Sequence, residues 1–83
     1  MLTQAQRAAA KAVENTKKRM LLTKTPRVRI AEESGVNRQT VAKYIEHSND
    51  MTISMFVAAQ QLTGGDPVKE LADALQATEK DPA

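Results

Sequence analysis

The stretch of residues 25–45 constrains the fold more than any other part of the chain, because it holds start and stop signals for two short helices. Thr25 can cap a helix, and Pro26 suits its first turn, where a backbone N–H would be unpaired in any case. Gly35 can take the left-handed backbone conformation that ends a helix, and Asn37 can cap the next one. The pattern therefore predicts two helices joined by a tight turn.

The second of these predicted helices, at about residues 38–46, has two distinct faces. Val41, Tyr44 and Ile45 fall at helical spacing, so we expect them to form a buried stripe. The opposite face carries Arg38, Gln39, Ala42, Lys43 and Glu46. Arginine and lysine can donate to guanine, glutamine can bond adenine through two atoms, and alanine can touch the thymine methyl group. An ordinary solvated face is the alternative, but the preceding glycine turn favours a helix that reads DNA.

Residues 27–46 resemble the Cro/repressor-type helix-turn-helix family of phage and bacterial regulators. The matching residues are Ile30 and Ala31, Gly35 and Val36, and the run Asn37-Arg38-Gln39-Thr40-Val41. Ser34 departs from the family pattern, since leucine is usual there. Glu46 stands one place after a position where glutamate is common, which leaves its role and the end of the second helix open.

The resemblance implies an all-α fold, a compact five-helix bundle of the lambda-repressor-like type that contains a helix-turn-helix. The base contacts that we expect come from Arg38, Gln39, Lys43 and Ala42. The phosphate contacts that the resemblance implies come from Arg27 and Thr40. Further phosphate contacts are expected from Asn37, Lys24 and Arg29.

Charge is distributed unevenly along the chain. Residues 1–47 hold ten lysines and arginines against four acids, whereas residues 48–83 hold two lysines against six acids. A basic half beside an acidic half is typical of a nucleic-acid surface with an acidic tail. The run Lys17-Lys18-Arg19 is compatible with phosphate contact and equally with a solvated charged face.

The remaining sequence predicts three more helices. Thr3 and Gln6 have the form of a capping box, and an alanine-rich helix should follow towards Leu22. The side of this helix that we expect to be buried carries Leu2, Ala5, Ala9, Ala12, Val13, Thr16, Met20 and Leu21. A fourth helix should begin after the cap Thr52, with Ile53, Phe56, Ala59 and Leu62 inward. A fifth should begin at Asp66-Pro67 and bury Val68, Leu71, Ala72 and Leu75.

Length and composition limit the class of protein. Eighty-three residues predict a single domain, 1–83, with a core at about 3–77 and a frayed tail at 78–83. The chain has no cysteine and one histidine, so we expect no metal, no cofactor and no disulfide. Glu32, Glu33, Asp50 and His47 do not complete a catalytic constellation, and we expect no enzyme. No apolar run is long enough to span a membrane, and a cytoplasmic location is expected.

The sequence therefore predicts a sequence-specific regulator of phage or mobile-element type, a repressor or Cro-like protein that binds a double-stranded operator. One domain reads few base pairs, so we expect a homodimer, with Leu71 and Leu75 as interface candidates. The alternative is a protein-interaction module, such as an antitoxin or an accessory subunit of a recombination complex. Its partner would be a protein such as a toxin or a polymerase.

Overall fold

Five α-helices make up the computed structural model, which describes residues 2–79 of the chain. They are α1 (Gln4–Thr23), α2 (Arg27–Ser34), α3 (Arg38–His47), α4 (Ile53–Leu62) and α5 (Pro67–Glu79). Those residues contain no strand, which confirms the all-α prediction. No helix among them is both long and apolar enough to cross a membrane.

Most helix ends lie where the capping residues predicted them. The side chain of Thr3 accepts from the Gln6 backbone N–H while the Gln6 side chain accepts from Thr3 N–H, which completes the capping box. Thr52 accepts from the Met55 N–H, and Asp66 accepts from the N–H groups of two residues at the start of α5. These side chains satisfy donors that the first turn of a helix leaves unpaired.

The turn between α2 and α3 is built largely as predicted. Gly35 has φ +71° and its N–H donates to the Ala31 carbonyl, which closes α2. The Asn37 side chain then accepts from the Gln39 N–H and opens α3. The predicted cap Thr25 is wrong: α2 begins at Arg27 after Pro26 with no side-chain cap, and the Thr25 hydroxyl pairs with that of Thr23. The two hydroxyl oxygens are 2.7 Å apart, so the Thr25 side chain is engaged with a local partner and does not cap α2.

All five helices contribute side chains to one apolar core. Its members are Ala12, Val13, Met20, Ile30, Ala31, Val41, Met51, Met55, Phe56, Ala59 and Ala74. Val36, Tyr44, Ile45 and Leu62 are partly buried against this cluster. Of the stripe predicted on α3, Val41 is therefore fully buried, while Tyr44 and Ile45 cover the edge of the core.

The buried face of α5 differs from the predicted one. Ala74 and Thr78 are its buried residues, while Val68, Leu71, Ala72 and Leu75 are exposed. α1 and α5 run antiparallel, since Gln4 on α1 donates to the Leu75 carbonyl and Arg19 donates to the Thr63 carbonyl just before α5. Small residues line this contact, and they permit close approach of the two helices. Consequently the large apolar side chains of α5 face outward.

Three smaller corrections concern the other helices and the tail. In α1, Ala8 is buried, whereas Ala5 and Leu21 are exposed, as is Leu2 just before the helix. In α4, Ile53 at the first position is exposed, whereas Met55, Ala58 and Gln60 are buried. The frayed tail predicted at 78–83 is wrong for its first two residues, because α5 includes Thr78 and Glu79 and buries Thr78; residues 80–83 lie outside the described part of the chain.

Polar side chains fix α1 against the α4–α5 connection. Gln60 donates to the Thr16 hydroxyl at 2.8 Å, and both side chains are buried. Arg19 donates to the hydroxyl and carbonyl of Thr63. A Cβ at Gly65 would overlap the Gln60 side-chain oxygen and crowd Arg19, so glycine leaves room for this network. Hydrogen-bonded pairs of this kind remove the cost of burying their polar atoms.

Ala31 provides a test of the α2 packing. Since Ala31 is buried in the core, we expect Ala31→Leu to lower the free energy of unfolding by about 1–3 kcal/mol through overpacking. The matched control is Ala77→Leu, the same change at an exposed position of α5. Urea unfolding followed by circular dichroism measures both. Equal stability of the two variants would contradict the position assigned to Ala31.

Candidate nucleic-acid interface

The outer side of α3 carries the polar side chains that were predicted to contact DNA. Val41 is the only fully buried residue of α3, and Tyr44 and Ile45 are partly buried against the core, so one side of this helix is anchored and the other faces solvent. Arg38, Gln39 and Lys43 are exposed, and Ala42 is half-buried between them. The structure thus places the four predicted base-contacting residues on the outward part of α3.

An open cleft of about 630 Å³ lies between the start of α2 and the outer side of α3. Its lining residues are Arg27, Val28, Asn37, Arg38, Gln39 and Ala42. Five of these six were predicted as base or phosphate contacts; Val28 was not. The cleft brings two guanidinium groups, two side-chain amides and a small apolar side chain to one surface, a combination that can meet both phosphates and base edges.

A second depression, of about 420 Å³, lies along the other flank of α3. Thr40 and Lys43 line it together with Tyr44, His47 and Ser48. Lys43 therefore belongs to a different flank from Arg38, and the two cations lie on either side of the outermost line of the helix. His47 was missed as a neighbour of this flank, since its position at the end of α3 gave no signal beyond that of a helix-end residue.

Two of the predicted phosphate contacts lie away from both depressions. Lys24 is exposed at the end of α1, where it has φ +55°. Arg29 is exposed on α2, with its Nε 4.0 Å from Glu32 Oε2. Neither side chain lines the cleft or the α3 flank, so the structure does not bring them together with Arg38, Gln39 and Lys43.

The cationic run on α1 has partners within the chain. Lys17 Nζ donates to the Ser48 carbonyl at 2.7 Å, and Lys18 Nζ lies 3.1 Å from Glu14 Oε1. Arg19 is held by Thr63. In this structure Lys17 and Arg19 join α1 to neighbouring segments, which is a structural role for two of the three cations.

Glu46 makes an ion pair across the two helices that the sequence did not predict. Its Oε1 lies 2.5 Å from Arg27 Nη1, and both side chains are about half exposed, at 47% each. The hydrogen bond from Arg27 and the charge of that guanidinium hold the pKa of Glu46 below its ordinary value. Glu46 is therefore ionised at neutral pH, beside the cleft that holds Arg38 and Gln39.

The acidic and histidine side chains considered as reaction groups are exposed. These are Glu32 and Glu33 on α2, His47 at the end of α3 and Asp50 in the following loop, and His47 Nε2 lies 3.7 Å from Glu46 Oε2. Within residues 2–79, no three histidine, cysteine or acidic side chains are grouped so that they could hold a metal ion.

Comparisons with protein-family models, with curated proteins and with solved structures find no significant match to this chain.

Proposed function

We propose that this chain is a sequence-specific, double-stranded DNA-binding transcriptional regulator of the Cro/repressor helix-turn-helix type, in which α2 and α3 form the motif and α3 enters the major groove. The observation that carries the proposal is the cleft in which Arg27, Asn37, Arg38, Gln39 and Ala42 face solvent together. Within this proposal the five helices form a lambda-repressor-like domain.

The dimensions of α3 suit such a role. Ten residues of α-helix are about 15 Å long, and a helix with its side chains is about 10–12 Å wide. A major groove of about 12 Å accepts such a helix. Val41, Tyr44 and Ile45 hold one side of α3 against the core, and Arg38, Gln39 and Lys43 are exposed, so these three can approach DNA without opening a core contact.

Each side chain has a distinct task in this proposal. Arg38 and Lys43 donate to guanine O6 or N7, Gln39 bonds adenine, and Ala42 contacts a thymine methyl group. Arg27, Asn37 and Thr40 contact phosphates, which position the helix without reading sequence. Lys24 and Arg29, which lie outside the cleft, supply longer-range attraction.

We further propose that the chain acts as a homodimer on a two-fold symmetric operator. One α3 reads few base pairs, whereas specific affinities of roughly 10⁻⁸–10⁻¹¹ M need more contacts. Leu71 and Leu75 on α5 are 44% and 48% exposed, and Val68 on the same helix is 76% exposed. This outward apolar side supports α5 as the contact between two copies, because an isologous interface buries the same surface on both. By occupying the operator, the dimer would exclude or recruit polymerase.

The exposed apolar side of α5 also supports the second candidate, a module that binds a partner protein such as a toxin. The two proposals differ in what the α2–α3 surface does. If the chain is a protein-interaction module, replacing Arg27 or Lys43 should not change its affinity for DNA. If it reads DNA, each replacement should weaken that affinity.

Arg27 provides the test of this difference. We expect Arg27→Ala to weaken binding to all duplexes alike and to reduce the slope of log affinity against log salt by up to about 0.9, the value for one complete phosphate contact. Titrations of operator and random duplexes by fluorescence anisotropy between 50 and 200 mM salt measure this. Lys69→Ala, which removes a charge from exposed α5, is the control. If DNA affinity and slope do not change in Arg27→Ala, the assigned phosphate contact is wrong.

A further inference from the structure

Glu46 is an acidic residue on the surface that we assign to DNA. At helical spacing it follows Ala42 by four residues and Gln39 by seven, so these three side chains share one line of α3. The negative charge of Glu46 repels DNA phosphates, so this residue weakens the approach of α3 to a duplex.

Glu46 also forms the ion pair with Arg27. Arg27 is a cation of the cleft, yet its Nη1 is held by Glu46 Oε1 on the neighbouring helix. Both side chains are half exposed, so the pair can separate without opening the core. While the pair is closed, its two charges cancel and Arg27 adds nothing to the net attraction for phosphates.

We propose that Glu46 restrains the sequence-independent affinity of the chain for DNA by holding Arg27. This inference rests on the proposed function. For Arg27 to contact a phosphate, it must either leave Glu46 or bring the carboxylate close to the backbone of the duplex. Both routes weaken binding at every sequence. Glu46 thereby limits the time that the protein spends on non-operator DNA, which competes in large excess.

Glu46→Gln tests the inference, because it removes the charge and keeps the size of the side chain. At 50 mM salt we expect this variant to bind a random-sequence duplex of 20 base pairs about three- to tenfold more tightly. The slope of log affinity against log salt should become steeper by up to about 0.9, because Arg27 is then free to contact a phosphate in a larger fraction of the bound molecules. Circular dichroism establishes that the helices are retained.

Glu14→Gln is the matched control. Glu14 is also exposed and paired with a cation, Lys18 at 3.1 Å, and the hydrogen bond from Lys18 lowers its pKa in the same way. Its position on α1 lies outside the α2–α3 cleft. Glu14→Gln should therefore change affinity by less than twofold, although it removes the same charge.

A double-variant comparison separates the restraint of Arg27 from simple repulsion. In an Arg27→Ala background, Glu46→Gln should raise the logarithm of the affinity for the random-sequence duplex by at most half as much as it does in the unaltered chain. An undiminished gain would overturn the inference, and so would a gain no larger than that of Glu14→Gln. If the unaltered chain binds no duplex at 50 mM salt, the proposed function itself fails and the inference fails with it.

Discussion

Replacing Arg38 and Lys43 together by alanine should abolish the preference for an operator while the protein stays folded. Each cation is assigned to a base edge, and one such contact contributes about 1–3 kcal/mol of discrimination. The two line different depressions beside α3 and are assigned to different base pairs in the proposal, so their losses should roughly add. Operator affinity should therefore fall by about 30-fold or more.

A charge-matched control is needed for this variant, because any loss of two cations weakens binding to DNA. Lys11 and Lys69 are exposed on α1 and α5, and their double replacement by alanine removes the same charge elsewhere. Anisotropy titrations with operator and scrambled duplexes give the ratio of specific to non-specific affinity. This ratio should collapse only in the Arg38 and Lys43 variant. An unchanged ratio would show that α3 does not read the bases.

Met55→Ala should cause the largest loss of stability among the substitutions considered. Met55 is fully buried on α4 and belongs to the core cluster to which all five helices contribute. Truncating a buried methionine removes its transfer free energy and leaves a cavity, at a cost of about 2–5 kcal/mol. A small domain has a total stability of only about 5–15 kcal/mol, so a substantial part of it would be lost.

Leu22→Ala serves as the reference for this measurement. Leu22 is 83% exposed on α1, so its truncation should change stability by no more than about 0.5 kcal/mol. Urea unfolding of both variants, monitored by circular dichroism, gives the two free energies of unfolding. A loss in Met55→Ala no larger than that in Leu22→Ala would contradict the core described above.

The helix ends were largely predictable from the sequence, and the reason is local. Asn37, Thr52 and Asp66 cap helices through hydrogen bonds to residues two or three positions away, so neighbouring residues suffice to predict them. Gly35 ends α2 because its backbone can adopt a positive φ. Thr25 was predicted wrongly because another hydroxyl, that of Thr23, provides a partner at 2.7 Å.

The buried faces were predicted less well, because burial depends on which helix is the neighbour. Apolar spacing on α5 selected Leu71 and Leu75, but α5 meets α1 through Ala74 and Thr78. Thr78 can be buried because its hydroxyl donates to the Ala74 carbonyl within the same helix, and Thr16 does the same to Ala12. A threonine satisfied in this way packs like a small apolar residue, which a hydrophobic pattern does not detect.

In the candidate site too, local features were predictable from the sequence and contacts between helices were not. The exposure of Arg38, Gln39 and Lys43 follows from the position of Val41, so helical spacing was enough to predict it. The pair between Arg27 and Glu46 joins residues 19 positions apart on two helices. Its formation depends on the angle between α2 and α3, and spacing along one helix carries no information about that angle.

Selection from random-sequence duplexes at about 150 mM salt tests the central claim most directly, because purely non-specific binding is weak there. A sequence-reading dimer predicts enrichment of one two-fold symmetric motif, with half-sites about 34 Å apart, one turn of the duplex. The double variant in which alanine replaces Arg38 and Lys43 should be folded and should not enrich this motif. Failure of the folded, unaltered chain to enrich any motif would contradict the account and favour the protein-interaction module.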